Sequence, residues 1–412
     1  MTSAPTGPIH RSHPRLRASL LAGDLAGIAS RLARRGGDGV HTRGLAIMAV
    51  DPRAIERLSR GRASALVTGT NGKTTTTYLL ARALGDHVAH NETGANMSTG
   101  IVTAYADSDA TVAAIEVDEL HFGSIARMID PQVIVLLNLS RDQLSRSHEV
   151  GRVVSSWSQT LATGSSTVVA NCADPNVVAA TPAERAVWFD PGTRWTGDAQ
   201  VCPRCGVLLD WGPSSWSCAC GFAMPTPSYR REGSVLIGPD GDRHDLLLRI
   251  PGAFNLGNAV AAVAAANAMG IATDTALDRM ARLDSASGRY MRYDVGGRPA
   301  RLVLAKNPVG MRAALELVGD AQVIVGINAN EADGRDTSWL YDCPFETLAG
   351  RRVGATGRRR HDLALRLEIA GAHPVVGEDI HDIARRLPTG DLYLIGNYSN
   401  FVRWRRERRW QT

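Results

Sequence analysis

At 412 residues the chain exceeds one ordinary domain, and its 44% hydrophobic and 21% charged content excludes a disordered or fibrous protein. The net charge is only +5, and Lys73 and Lys306 are the only lysines among 46 cations, an arginine excess that reads as codon bias and not as nucleic-acid binding. Six clustered cysteines do not suit a secreted disulfide framework, and no apolar run reaches the ~20 residues of a membrane span, so a cytoplasmic chain without a transmembrane segment is expected.

Residues 1–62 are expected to form an N-terminal helical and loop region. Asp24, Arg31 and Arg34 break its apolar stretches, which argues against a signal peptide. Segment 17–35 has the pattern of a short amphipathic helix. It is expected to pack on the protein's own core, with contact to an anionic membrane surface as the lesser alternative. Residues 63–84 then read as an apolar strand, a glycine turn and a helix. Gly69, Thr70, Asn71, Gly72, Lys73, Thr74 and Thr75 occupy that turn, the context a phosphate loop requires. Backbone N–H groups there would cradle phosphate oxygens, Lys73 would reach the β/γ phosphates and Thr74 would ligate Mg²⁺. The strict P-loop pattern has glycine where this chain has Val67, yet a rare lysine at this one position supports nucleotide binding.

Apolar runs at 110–119, 131–140 and 166–175 read as strands buried on both faces of a parallel α/β sheet. A cysteine-bearing insertion follows at about 198–228. Cys202-Pro-Arg-Cys205-Gly and Cys218-Ala-Cys220-Gly have the spacing of a closed tetrahedral four-thiolate site, so a structural zinc ribbon is expected. Its surroundings (Trp195, Asp198, Asp210, Trp211, Trp216) are not basic, which weighs against a nucleic-acid-binding ATPase. Residues 251–271 resume a helical pattern. From 299 a second strand–helix alternation begins, and the tail is strongly basic.

Gly-Thr-Asn-Gly-Lys-Thr-Thr-Thr from Gly69 resembles the Mur ligase superfamily, which includes folylpolyglutamate synthase. The resemblance implies an α/β fold with a Mur ligase-like central P-loop ATPase domain over 63–298, carrying the zinc ribbon, and a smaller Rossmann-like C-terminal domain over 299–412. It implies Mg²⁺ at Glu116, with Asp118 and Glu119 as alternatives. Asn138…Asp142-Gln143 resembles a family motif in which glutamine here replaces a metal-binding histidine, and Asn171–Pro175 resembles the family's Asn-x-Asp-Asp-Pro turn. By the same resemblance Asn255 and Asn258 contact the adenine, and Arg289 of Ser287-Gly288-Arg289 reaches the nucleotide phosphates. Lys306-Asn307-Pro308 falls where many members have His-x-Pro. Many amino-acid-adding members carry a carbamylated lysine that orders a second Mg²⁺, but no lysine lies between Gln143 and Asn171.

Within that superfamily the four-cysteine insertion and the run Asn328–Asp342, with Asp-Gly-Arg-Asp-Thr-Ser-Trp at its centre, resemble the MurT family, synthetase subunits of lipid II isoglutaminyl synthase. This implies ATP, Mg²⁺ and a structural Zn²⁺, and amidation of the α-carboxylate of D-glutamate in the lipid II stem peptide at the inner face of the membrane. It also implies a heterodimer with a GatD-type class-I glutaminase. An aspartate of this chain would complete the partner's Cys-His dyad: Asp336, with Asp333 and Asp342 as alternatives. Neither Cys172 nor Cys343 sits in a glycine-flanked nucleophile elbow, which agrees with an outside source of ammonia. The alternative reading is an amino-acid-adding ligase of Mur or folylpolyglutamate type.

Overall fold

The computed structural model describes residues 13–33, 39–92, 94–141, 150–284, 292–330 and 333–407. They form two compact units. The first comprises the described residues up to Leu139 with Val150–Arg249 and Ala253–Leu283; the second takes in Ser140, Arg141, Ile250–Gly252 and the described residues from Asp284 onward.

The first unit opens with helices α1 (Pro14–Ala33), α2 (Val40–Val50) and α3 (Ala54–Ser59). α1 packs on α2 through small residues: Ser19, Gly23 and Gly27 are buried, and a Cβ on Gly23 would stand 2.5 Å from Ile47 Cγ1. Leu16 of α1 is fully buried and Leu20 packs against the core, whereas Leu21, Leu25, Ile28 and Leu32 face outward. The helix thus packs on the protein as expected, but Leu21, Leu25, Ile28 and Leu32 lie on the face turned away from that contact.

The chain continues through β1 (Ala63–Thr68), α4 (Lys73–Leu84), β2 (Ala89–His90), α5 (Ser98–Ala106), β3 (Val112–Glu116), α6 (Phe122–Ile129), β4 (Val133–Leu136), α7 (Val150–Ala162), β5 (Thr167–Asn171), α8 (Pro175–Ala180) and β6 (Ala186–Asp190). β2, β3, β1, β4, β5 and β6 are neighbours in that order, all parallel. Their Val, Ile and Ala side chains alternate between two covered faces, as a parallel sheet buried on both sides demands. Leu66, Ile115, Ile134 and Val168 enter one core layer with Tyr105, Phe122 and Trp157 of α5, α6 and α7.

After β6 the chain leaves the sheet for the cysteine-bearing segment, which holds the antiparallel pair β7 (Asp210–Trp211) and β8 (Trp216–Ser217). Trp216 anchors it: the ring is buried against Phe222 at 4.8 Å, and Nε1 donates to the Cys172 carbonyl at 3.0 Å. β9 (Tyr229–Glu232) rejoins the sheet parallel to β6, and β10 (Val235–Ile237) and β11 (Arg243–Asp245) extend it antiparallel. α9 (Ala253–Ala268) and α10 (Thr273–Met280) complete the unit, α9 lying on α4 and on strands β4–β6.

The second unit runs β12 (Arg292–Asp294), β13 (Pro299–Leu304), α11 (Pro308–Val318), β14 (Gln322–Gly326), β15 (Arg352–Thr356), α12 (Arg360–Ile369), β16 (His373–Val376), α13 (Ile380–Arg386), β17 (Leu392–Gly396) and α14 (Tyr398–Glu407). Its sheet order is β12-β13-β17-β14-β15-β16, parallel except for the β12–β13 hairpin. Strand alternation again fills two layers. Val323 and Val325 pack with α11 and α12, while Ile324 and Leu394 pack with α13 and α14. The hairpin places Arg292–Asp294 with this unit, ahead of the expected start at 299. The strand–helix pair β16–α13 had no counterpart in the sequence pattern. β16 is an edge strand with Pro374 inside it, a residue that sequence rules read as a strand breaker and that only an edge tolerates.

Candidate functional site

β1 delivers the chain to the phosphate loop, and two glycines set the loop's course. Gly69 has φ +140°, and a Cβ there would meet Leu137 Cβ at 2.9 Å and the Asn138 backbone at 3.0 Å. Gly72 precedes α4 with φ +86°, and a Cβ there would stand 2.6 Å from Asn258 Oδ1. Both positions need backbone that side chains disfavour and space they would fill. Asn138 braces the loop. Its carbonyl accepts from the Thr70 amide (2.8 Å), its Oδ1 from the Asn71 amide (3.0 Å), and its Nδ2 donates to the Asn71 carbonyl (3.0 Å). Asn258 in turn donates to Asn255 Oδ1 at 3.3 Å, so the two asparagines of α9 stand beside the loop. α4 has no acid of its own in its first turn.

Lys73 and Thr74 begin α4, both buried, and each meets a different glutamate. Lys73 Nζ donates to Glu119 Oε2 at 2.8 Å and to the carbonyls of Gly69 (2.5 Å) and Thr70 (3.3 Å). Burial alone would discharge this ammonium, but Glu119 and Glu116 outweigh it and hold its pKa above the usual lysine value. Thr74 Oγ1 donates to Glu116 Oε2 at 2.8 Å, and Asn96 Nδ2 donates to Glu116 Oε1 at 3.0 Å. Glu116 ends β3 in register with Val67 of β1, and this pairing brings it to the loop. Asn91 clamps its backbone on both sides, accepting from the Glu116 amide and donating to its carbonyl, each at 2.8 Å. Asp118 instead turns its carboxylate to the Leu120 amide. A hydroxyl and a carboxylate oxygen 2.8 Å apart fit Mg²⁺, whose neighbouring octahedral ligands at ~2.1 Å lie about 3 Å from each other. Asn91 and Asn96 were not foreseen; only their closeness to the glycine at 94 hints at a tight loop there.

The Asn171–Pro175 turn is tied to the same region. Asn171 Nδ2 donates to the Leu137 carbonyl at 2.7 Å. Asp174 caps α8 by accepting from the amides of Asn176 and Val177, and its other oxygen accepts from the Leu139 amide at 2.7 Å. Burial outweighs those three N–H groups and pushes the Asp174 pKa up to about 6.

In the cysteine-bearing segment the sulfurs of Cys202, Cys205, Cys218 and Cys220 all lie within 4.8 Å of one another. Cys202–Cys220 and Cys205–Cys218 are 3.8 and 3.5 Å apart. Both distances far exceed the ~2.05 Å of a disulfide. They match the about 3.8 Å edge of a tetrahedron whose centre lies ~2.3 Å from each sulfur, so the residues fit a four-thiolate metal. Burial opposes ionisation of Cys202, but the Arg204 and Cys205 amides and the neighbouring thiols bring its pKa down to about 7.

The second unit separates the three candidate aspartates. Asp333 is buried and committed: it accepts from the Ser399 amide (2.7 Å) and hydroxyl (2.6 Å), at the start of α14, and from the Asn330 amide (3.3 Å). Asp342 is exposed and pairs with Arg141 at 3.4 Å. Asp336 is exposed, and the Ser338 amide (2.8 Å) and hydroxyl hold its carboxyl below the usual range. All three aspartates nevertheless line one cleft with Lys306, Trp339 and Arg141 of the same unit. Arg366, also unforeseen, fastens this segment from beneath. Buried beside the Phe345 ring, it donates to the carbonyls of Leu340 (3.2 Å) and Cys343 (2.8 Å) and to Glu346 (2.6 Å). Burial pushes the Cys172 thiol up to about 12 and lifts Cys343 higher still, so neither is a ready thiolate. Arg289, Asp142 and Gln143 lie outside the described residues.

A glycine turn of this kind on a parallel sheet, followed by a second α/β unit, fits the class of Mur ligase-like ATP-dependent ligases, and likeness to known proteins shows that class. The Mur ligase middle domain model matches residues 67–189, and the MurT ligase C-terminal model matches residues 304–401. In fold the chain is similar to a pseudomurein peptide ligase type C from Methanothermus fervidus, with a TM-score of 0.68 and 20% identity over 84% of this chain and 78% of that one. In sequence it is 30% identical over 389 residues to the lipid II isoglutaminyl synthase (glutamine-hydrolyzing) subunit MurT of Streptococcus pneumoniae, covering 85% of this chain and 86% of that protein. The subunit of the same name from Staphylococcus aureus (strain COL) is 29% identical over 374 residues, 82% and 85% of the two chains. The chain belongs to the MurT family.

Proposed function

We propose that the chain is the synthetase subunit of a two-subunit lipid II isoglutaminyl synthase, converting the α-carboxylate of D-glutamate in the lipid II stem peptide to D-isoglutamine. The observation that carries this reading is the presence in one chain of the phosphate loop at 69–75 and a unit matching the MurT C-terminal model, the stretch that holds Asp336. A carboxylate is a poor electrophile. Transfer of the γ-phosphoryl group of ATP to one carboxylate oxygen gives an acyl phosphate and ADP. Ammonia then adds to the carbonyl carbon and loses a proton, and phosphate leaves with that oxygen. Lys73, exchanging Glu119 for phosphate oxygens, would steady the charge on the transferring group, and the loop amides would fix its position. Thr74 and Glu116 would hold Mg²⁺, which supplies further neutralisation of the phosphates. Thr75, Asn255, Asn258 and Arg289 would complete the nucleotide site.

Ammonia would come from a GatD-type class-I glutaminase, because the thiols of Cys172 and Cys343 are held protonated by burial. Asp336 is the aspartate offered to that partner, where it would fix the tautomer of the catalytic histidine. Its carboxylate is exposed and ionised, whereas Asp333 caps α14 and Asp342 is bridged to Arg141. The four cysteines would hold a structural Zn²⁺, and the six-stranded unit serves as a Rossmann-like C-terminal domain. The test supplies ammonium, ATP and lipid II to the chain alone and weighs the product. Replacement of OH by NH₂ lowers the mass by about one dalton. A gain of one amino-acid residue would instead mark an amino-acid-adding ligase.

A further inference from the structure

Beyond its buried Leu16, α1 turns four large apolar residues away from the protein. Leu21, Leu25, Ile28 and Leu32 are 63%, 60%, 48% and 80% exposed. At 100° per residue this spacing keeps them within about 60° of arc, along about 16 Å of one helix face. Exposed Arg17 lies on the same face by that spacing. The opposite face is fitted to α2 by Gly23 and Gly27, and the 2.5 Å clearance at Gly23 leaves no room for the helix to roll its leucines inward. The stripe is therefore a built surface of the folded unit.

Charge says what covers it. Residues 1–50 hold seven arginines and two aspartates, an excess of five that equals the whole chain's net charge of +5. Asp24, on α1 itself, is already bridged to Arg43 at 2.8 Å. A second copy of this cationic helix would be repelled across a symmetric contact, whereas an anionic surface would be drawn to it. No helix among the described residues is long and apolar enough to cross a membrane. A helix with an apolar stripe and flanking arginines lies in the plane of an interface.

We propose that α1 docks the chain on an anionic lipid bilayer, with Leu21, Leu25, Ile28 and Leu32 entering the headgroup boundary. The binding itself stands on α1 alone. Its consequence, that the synthetase is held in the plane of a lipid-borne substrate, rests on the lipid II reading above.

The experiment sediments the full chain with vesicles of phosphatidylglycerol and phosphatidylcholine, and with phosphatidylcholine alone. The wild type is expected to bind the anionic vesicles and to lose several-fold in affinity at 0.5 M salt, about 4 Å of screening length. The variant Leu21→Ser/Leu25→Ser/Leu32→Ser changes only exposed positions and should keep the wild-type melting temperature. It is expected to bind at least about tenfold more weakly. Ammonium-driven amidation of lipid II in those vesicles should fall in the variant, while amidation of a lipid-free analogue should not. Failure of the wild type to bind anionic vesicles, or equal binding by the variant, overturns the proposal. So does a variant whose only change is a smaller mass by light scattering without lipid, which would assign the stripe to a protein contact. Vesicle binding lost in the variant, with no amidation by either protein, would sustain the docking and defeat the lipid II reading.

Discussion

Lys73 and Glu119 form a buried ion pair inside the phosphate loop, so loop chemistry and loop stability can be separated by a mutant cycle. Their Nζ–Oε2 distance is 2.8 Å and the side chains are only 6% and 11% exposed. In Lys73→Met, Glu119 stays buried without its cation and the carbonyls of Gly69 and Thr70 lose their donor. Breaking such a pair from one side costs about 3–5 kcal/mol. Glu119→Gln should cost less, about 1–2 kcal/mol, because the ammonium keeps both carbonyls. With neither charge present, Lys73→Met/Glu119→Gln should recover about 2–3 kcal/mol relative to Lys73→Met. Urea unfolding read by tryptophan fluorescence is the assay; buried Trp157, one of eight tryptophans, donates to the Glu119 carbonyl at 3.1 Å. Nucleotide binding should follow a different order. Both variants that lack the lysine lose ATP, whereas Glu119→Gln binds it at least as tightly as wild type, because phosphate no longer competes with a carboxylate for Lys73. Wild-type stability in Lys73→Met, or a double variant no better than that single one, would refute the latch.

The strand–turn–helix at 63–84 was legible because its parts are contiguous: two glycines, a lysine and a threonine fall within one turn, and the flanking strand and helix carry their own periodicities. The four cysteines were legible for the same reason, as two short turns with fixed spacing. What escaped was decided by contacts remote in the chain. Glu116, Asp118 and Glu119 are interchangeable acids on paper. The pairing of Glu116 with Val67 gives one of them to Thr74, and Lys73 takes another. Asp333 and Asp336 differ because Ser399, 66 positions from Asp333, claims the first. Segment 17–35 was legible as an amphipathic helix but not in its direction, since Gly23 closes on Ile47 and Leu16 is buried while Leu21, Leu25, Ile28 and Leu32 face outward. The β16–α13 pair was hidden by Pro374, harmless at a sheet edge.

Three further outcomes are expected from substitution, and one from pH. Asp336→Asn should cut glutamine-driven amidation by the paired subunits on the order of 100-fold while sparing ammonium-driven amidation, and equal loss of both would move the aspartate's role elsewhere. Asp333→Asn should instead weaken the start of α14 and lower stability by about 1–2 kcal/mol, with both activities falling together. Metal analysis should find one zinc per chain and none in Cys202→Ser/Cys218→Ser, with a lower melting temperature in that variant; a folded, metal-free wild type would remove the ribbon. Asp174 adds a pH dependence whose sign follows from its raised pKa of about 6. Below the ordinary carboxylate range both folded and unfolded chains hold the proton. Between about pH 4 and 6 only the folded chain keeps it, so stability falls as pH rises through that window, on the order of 2 kcal/mol. Asp174→Asn keeps an oxygen to accept from the α8 amides and cannot ionise, so its urea midpoint should change less between pH 4 and 6 than that of the wild type. Parallel curves for the two proteins would show that the Leu139, Asn176 and Val177 amides stabilise the carboxylate enough to cancel its burial.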